Sequence, residues 1–170
     1  SDKSGLVDLA QALAARGVRS VYLSDKDSVF ASLEAADVLR WLRACADPGN
    51  DGLLRAALAT PGLGLRWAEL EQLNQDERYW EQKVEQFHAL RRVWLRQGGL
   101  PMLQQLLHQF SLPHRLLQQP DGERRLTNLL HLAELLQAAS RELDGEQALI
   151  RHLAELLEDA SGNGADDQVL

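Results

Sequence analysis

Apolar positions recur three and four apart along most of this chain, the period of helices with one buried face. Leu6, Leu9, Ala10 and Leu13 predict a first amphipathic helix, and Gly17 supplies its stop. The period then changes. Val18-Arg19-Ser20-Val21-Tyr22-Leu23 alternates apolar with polar residues and is rich in β-branched and aromatic types, which predicts a short strand. It is the one strand the pattern predicts. A lone strand leaves its backbone groups unpaired, so this one is either an edge piece or part of a sheet whose other strands lie elsewhere.

From Ser32 the pattern is helical. Leu33, Ala36, Leu39, Trp41, Leu42 and Cys45 mark one broad face, which Asp47-Pro48-Gly49 ends. Asn50 is placed to cap a second helix carrying Leu53, Leu54, Ala57 and Leu58. Thr60-Pro61-Gly62-Leu63-Gly64-Leu65 interrupts, and a short helix follows over about 67–73. A longer helix over about 76–96 sets Trp80, Val84, Phe87, Leu90 or Arg91, and Trp94 on one side, and Gly98-Gly99 ends it. Pro101 suits the first turn of the next helix, which continues to Phe110. Pro113 opens a short segment, Pro120-Asp121-Gly122 is a turn, and two more amphipathic helices cover about 123–143 and 146–159. The stretch from Ser161 to Asp167 has the composition of a flexible tail. The total of seven or eight helices and one strand is a mainly α fold.

Composition adds bounds. With 170 residues the chain suits one domain, or one domain with a small appendage. Its 35 leucines favour a helical bundle. The 15 arginines against 3 lysines match GC-rich codon usage and carry little functional weight. One cysteine, Cys45, excludes an internal disulfide framework and a cysteine-based zinc site. No apolar run has the ~18 residues of a membrane helix, and the first residues lack a secretory apolar stretch. Nothing in the pattern therefore suggests export, and no membrane partner is expected. A net charge of −7 and a pI near 5.2 argue against a strongly basic nucleic-acid module.

Candidate chemistry is sparse. His131-Leu-Ala-Glu134-Leu-Leu recurs as His152-Leu-Ala-Glu155-Leu-Leu, and residues three apart share a helix face. Bundle di-iron sites use the opposite order, Glu-x-x-His, twice, with two further glutamates. Glu85-x-x-His88 has that order but stands alone, so the repeat reads as two similar helix faces and no metal is expected. His108 and His114 sit near helix ends without a ligand pattern, and Cys45 reads as a small buried hydrophobe. No serine elbow and no phosphate-cradling glycine motif occurs, so catalytic residues are expected to be absent. The loop Thr60–Leu65 is the one stretch with binding physics. Gly62 and Gly64 permit close backbone approach, a helix N-terminus follows, and Arg66 adds a charge, a combination that suits a phosphate. The same glycines also suit an ordinary helix–helix turn. Arg124-Arg125, opening a helix where cations oppose its dipole, reads either as an ion-paired couple or as a second phosphate contact.

Three stretches together resemble one family. They are Val21-Tyr-Leu-Ser-Asp-Lys-Asp-Ser-Val-Phe30 with the helix after it, Leu54-Arg-Ala-Ala-Leu-Ala-Thr60 leading into Gly62-Leu-Gly-Leu65, and Gly122-Glu-Arg-Arg-Leu-Thr-Asn-Leu-Leu-His131 through Gln137. In order and over nearly the whole chain, they look like the RecB family. These are exodeoxyribonuclease V β subunits among the UvrD/Rep-like superfamily 1 DNA helicases. The resemblance implies a helical 2B-type subdomain over 31–159. Ahead of it, 1–30 would be a helix–strand remnant of the 2A RecA-like motor domain, and 160–170 a flexible tail. It implies a parent that uses ATP and Mg2+ for 3′→5′ helicase and nuclease work in double-strand-break repair. That parent would be cytoplasmic and bacterial and would have RecC-like and RecD-like partners. Such a piece would hold no cofactor of its own. In UvrD-like relatives a Gly-Ile-Gly loop of 2B touches the duplex backbone. The matching position makes Thr60, Gly62, Gly64 and Arg66 candidate DNA-backbone contacts, with Arg124 and Arg125 second. Those relatives often carry Arg before the first glycine, where this chain has Pro61. The resemblance also allows 2B to serve mainly as a packing surface against RecC. A stand-alone helical protein-interaction module is the alternative function.

Overall fold

A computed structural model describes residues 29, 30 and 32–169, with side chains as far as 162. The expected first helix and the strand at 18–23 lie outside the described residues, as does the boundary expected at 30/31. Among the described residues the chain forms eight α-helices and one 3₁₀ turn, and no strand. They are α1 (Leu33–Ala46), α2 (Asp51–Leu58), the 3₁₀ turn (Pro61–Leu63), α3 (Trp67–Gln75), α4 (Glu77–Gln97), α5 (Gly99–Gln109), α6 (Leu112–Leu117), α7 (Gly122–Ser140) and α8 (Gly145–Val169). The mainly α expectation is what the structure shows.

Local chemistry sets the helix starts. The Ser32 hydroxyl accepts from the Ala35 N–H at 3.3 Å, and the Asn50 carbonyl oxygen accepts from Leu53 N–H at 3.1 Å. Asp76 does the same for α4, accepting from Tyr79 N–H at 3.2 Å. Each cap satisfies a donor that the first helical turn cannot pair internally. Between α4 and α5 the chain reverses at Gly98, whose φ of 105° is costly for any side-chain-bearing residue.

α1 is the central element. It packs against α2, α4, α7, α8 and the 3₁₀ turn. Ten of its fourteen residues are buried, so it is covered around most of its circumference rather than along one stripe. Trp41, Leu42, Phe87, Leu90, Met102, Leu106, Leu126, Leu132 and Leu153 fill the core. Each contributes about 1.5–3 kcal/mol by leaving water. Cys45 is fully buried among them. The repeated His-Leu-Ala-Glu-Leu-Leu stretches present matching faces of α7 and α8, with Leu132 and Leu153 in the core and Glu134 and Glu155 in water.

Two features differ from the pattern. Leu33, spaced as a core residue, is 80% exposed at the first position of α1. The backbone of α8 stays helical to Val169, through most of the 160–170 segment whose composition reads as a flexible tail. Once Leu149, Ile150 and Leu153 are packed, each added residue gains a hydrogen bond without a new nucleation cost.

Candidate functional site

The loop between α2 and α3 is built from its buried side. Thr60 is buried, and its Oγ1 accepts from the Trp41 indole N–H at 2.8 Å while donating to the Ala57 carbonyl at 2.7 Å. This fixes the entry to the 3₁₀ turn over the face of α1. Gly62 then passes close against the Trp41 ring: a Cβ there would stand 2.6 Å from the indole Cζ2. Gly64 closes the turn in the left-handed region at φ 69°, ψ 23°, where glycine carries no steric penalty.

The amides that the glycine pattern offers to a phosphate are engaged inside the loop. Leu63 N–H donates to Thr60 O at 3.3 Å and Gly64 N–H to Pro61 O at 3.1 Å. Gly62 N–H faces the Asp37 carboxylate. Arg66 is 85% exposed and its Nε pairs with Glu69 at 2.8 Å. The steric role of the glycines is therefore visible in full.

A residue the pattern does not mark completes the loop. Arg115, on α6, crosses 53 positions of sequence to donate from Nη2 to Gly62 O at 2.8 Å. Its Nε and Nη2 also donate to Phe110 O, at 3.0 and 2.9 Å. The guanidinium lies across the open face of Gly64, in the space a Cβ would occupy. Burial lowers its pKa from the usual value.

Beside the loop, Pro61 forms part of the wall of an open groove of about 720 Å³ between the N-terminal turns of α1 and α7. Arg124 and Arg125 line it, with Glu34, Asp37, Arg40 and Asn128. Arg125 Nε donates to Glu34 Oε1 at 2.9 Å and its Nη1 to Gln119 at 2.8 Å. Asn128 reaches the other Glu34 oxygen at 3.4 Å. Arg124 remains mostly in solvent, 3.6 Å from Asp121. Burial pushes the Asp37 carboxyl above its usual value, opposed by Arg40 and the Gly62 N–H. The structure thus brings the loop and the arginine pair to adjoining walls, with Arg125 spent on a buried glutamate and Arg124 the more available of the two.

Sequence reasoning does not reach Arg115, Glu34 or Asp37. Glu34 and Asp37 have a local signal, two acids three apart on an otherwise apolar helix, which announces buried polar partners. Arg115 has none. For the histidine–glutamate pairs, no group of three or more His, Cys, Asp or Glu among the described residues is placed to hold a metal ion. No helix among them is long and apolar enough to cross a membrane.

No family model matches the chain. In sequence it is similar to the RecBCD enzyme subunit RecB of Escherichia coli (strain K12), 41% identical over 158 residues. That alignment covers 93% of this chain and 13% of the relative. The same subunit of Haemophilus influenzae is 40% identical over 149 residues, covering 88% of this chain and 12% of the relative. That of Mycobacterium tuberculosis (strain H37Rv) is 36% identical over 135 residues, covering 77% and 12%. The chain spans about an eighth of the length of the curated relatives it matches.

Proposed function

Because this chain matches one segment of the RecB family along nearly its whole length, we propose that it is the 2B-type helical subdomain of a RecB-like helicase–nuclease subunit. Its work there is to position duplex DNA and partner subunits, and chemistry belongs to other parts of the parent. That parent couples ATP hydrolysis to 3′→5′ unwinding, uses Mg2+ for nuclease activity, and acts with RecC-like and RecD-like subunits in cytoplasmic double-strand-break repair. The observation that carries the reading is the identity of 41% sustained over 93% of the chain, since a chance likeness of helical composition would not hold register that long.

The fold supports a positioning role. The glycine loop is anchored to the core through Thr60 and Trp41, so a duplex laid on it meets a fixed surface. The net charge of −7 confines any DNA contact to a local patch, because the domain as a whole repels phosphate. Reading the parent gene tests the assignment. A P-loop is expected upstream and a Thr-x-His-Lys-x-Lys-Gly-Leu motif downstream, and a gene with neither refutes it. For the DNA role, weak duplex binding at low salt is expected, falling steeply as salt rises. The stand-alone interaction module predicts a gene with neither flank and no salt-dependent duplex binding.

A further inference from the structure

We propose that Arg115 is the residue through which the glycine loop holds a phosphodiester of duplex DNA, donating from Nη1 beside Gly64. The inference rests on the DNA-positioning role above and assigns its contact atom. Five arginines stand at the loop and the groove. Arg40, Arg66, Arg124 and Arg125 each face a carboxylate, Asp37, Glu69, Asp121 and Glu34 respectively. Arg115 alone of these five has no carboxylate in ion-pair reach among the described residues, and its partners are the neutral carbonyls of Gly62 and Phe110. Its charge is held in place but not cancelled.

The donor count makes the same point. A guanidinium carries five N–H groups in a planar fork. Nε spends one on Phe110 O, and Nη2 spends two, on Phe110 O and Gly62 O. The two on Nη1 have no acceptor among the described residues. Nη1 is also the nitrogen nearest the open face of Gly64, an exposed residue. A side chain at position 64 would collide with it, so this glycine clears the approach to a cation rather than exposing its own amide, which Pro61 already takes. A guanidinium fixed at Nε and Nη2 by two carbonyls and free at Nη1 suits a phosphate oxygen, since little ordering remains to be done on binding.

The test uses the full chain and a fluorescein-labelled duplex of about 20 base pairs, followed by anisotropy as salt rises tenfold from about 20 mM. Removing one phosphate contact takes about 0.9 off the slope of log K against log salt. Over that range wild-type affinity is expected to fall about eightfold further than that of Arg115→Gln. Arg115→Lys, which keeps the charge, is expected to keep the slope even though it loses the carbonyl fork. A slope for Arg115→Gln equal to wild type overturns the role of Arg115 and leaves the DNA reading standing. Wild type that shows no duplex binding at the lowest salt overturns both. Should Arg115→Gln fail to fold, phenylglyoxal footprinting of the wild type decides, with the duplex expected to protect Arg115 but not the exposed Arg96. Equal modification with and without duplex refutes the proposal. So does labelled poly-glutamate binding through Arg115 where duplex does not, which makes the partner an acidic protein.

Discussion

Thr60→Val isolates the bond that ties the loop to the core. Valine keeps the volume and both branch positions but has no hydroxyl. The Ala57 carbonyl stays satisfied, because the Thr60 backbone N–H also donates to it at 3.2 Å. The Trp41 indole N–H does not: it lies on a residue 1% exposed, and its partner at 2.8 Å is gone. A buried donor left unpaired costs about 1–3 kcal/mol. For a chain of this length each kcal/mol lowers Tm by about 2–4 °C. Urea unfolding followed by far-UV circular dichroism should show a lower midpoint with an unchanged m value. Thr60→Ser keeps the bond and loses one buried methyl, about 0.8 kcal/mol. The decisive comparison is the cycle with Trp41→Phe, which has no N–H to orphan. There the cost of Thr60→Val should shrink toward zero, giving a coupling energy in the range of contacting residues, roughly 0.5–3 kcal/mol. Equal cost in both backgrounds would mean that the penalty comes from packing and not from the indole.

Three further outcomes follow from the geometry. In Gly122→Ala the new Cβ meets the Leu116 carbonyl, which is backbone and cannot swing aside, so stability should fall at the upper end of the ~1–3 kcal/mol of overpacking. Gly49→Ala, with open space around it, should stay within about 0.5 kcal/mol in the same melt, and equal melting of the two would contradict the contact. Burial pushes the Cys45 thiol up, with the Glu146 charge adding to it, so DTNB should label it only at the rate of unfolding. Rapid labelling under native conditions would contradict its place in the core. Asp37 has a folded pKa above its usual 3.8, so the folded state holds that proton more tightly than the unfolded state. Its contribution to stability therefore falls as pH rises from 3.8 through the folded value, and is flat above it. Measured against Asp37→Asn, wild type should lose relative stability across that window, and a constant difference would remove burial as the cause.

The helices are legible in the sequence because each announces itself within a few residues. Asn50 caps α2 as its position suggests, Gly98 closes α4, and the apolar period over 76–96 places Phe87, Leu90 and Trp94 in the core. The loop is legible only as a loop. Two glycines one residue apart look the same whether the space they open is filled by a ligand, by Trp41 or by Arg115. What fills it comes from 21 residues before Gly62 in one case and 53 after in the other, distances over which no periodicity operates. The arginine pair shows the same limit. Its place at a helix start is readable, while the buried Glu34, 91 positions from Arg125, is not.

The arginine excess, which as composition reads like codon usage, has a structural consequence. Arg91 joins α4 to the first turn of α8 through Glu146 at 3.1 Å. Arg55 joins α2 to Asn74 of α3 and covers the Trp80 ring of α4 at 4.3 Å. Arg125 and Arg115 join α7 to α1 and α6 to the glycine loop. At two of these junctions a planar fork meets two polar groups at fixed angles: Glu34 and Gln119 for Arg125, Gly62 O and Phe110 O for Arg115. A lysine ammonium is a single point charge and cannot span either pair without losing one bond. Replacing Arg125 and Arg115 by lysine would hold the net charge at −7 while loosening both junctions. At these junctions between elements, geometry and not the amount of positive charge is therefore what this acidic domain draws from Arg125 and Arg115. Any partner that reads its surface reads groups already fixed by the core.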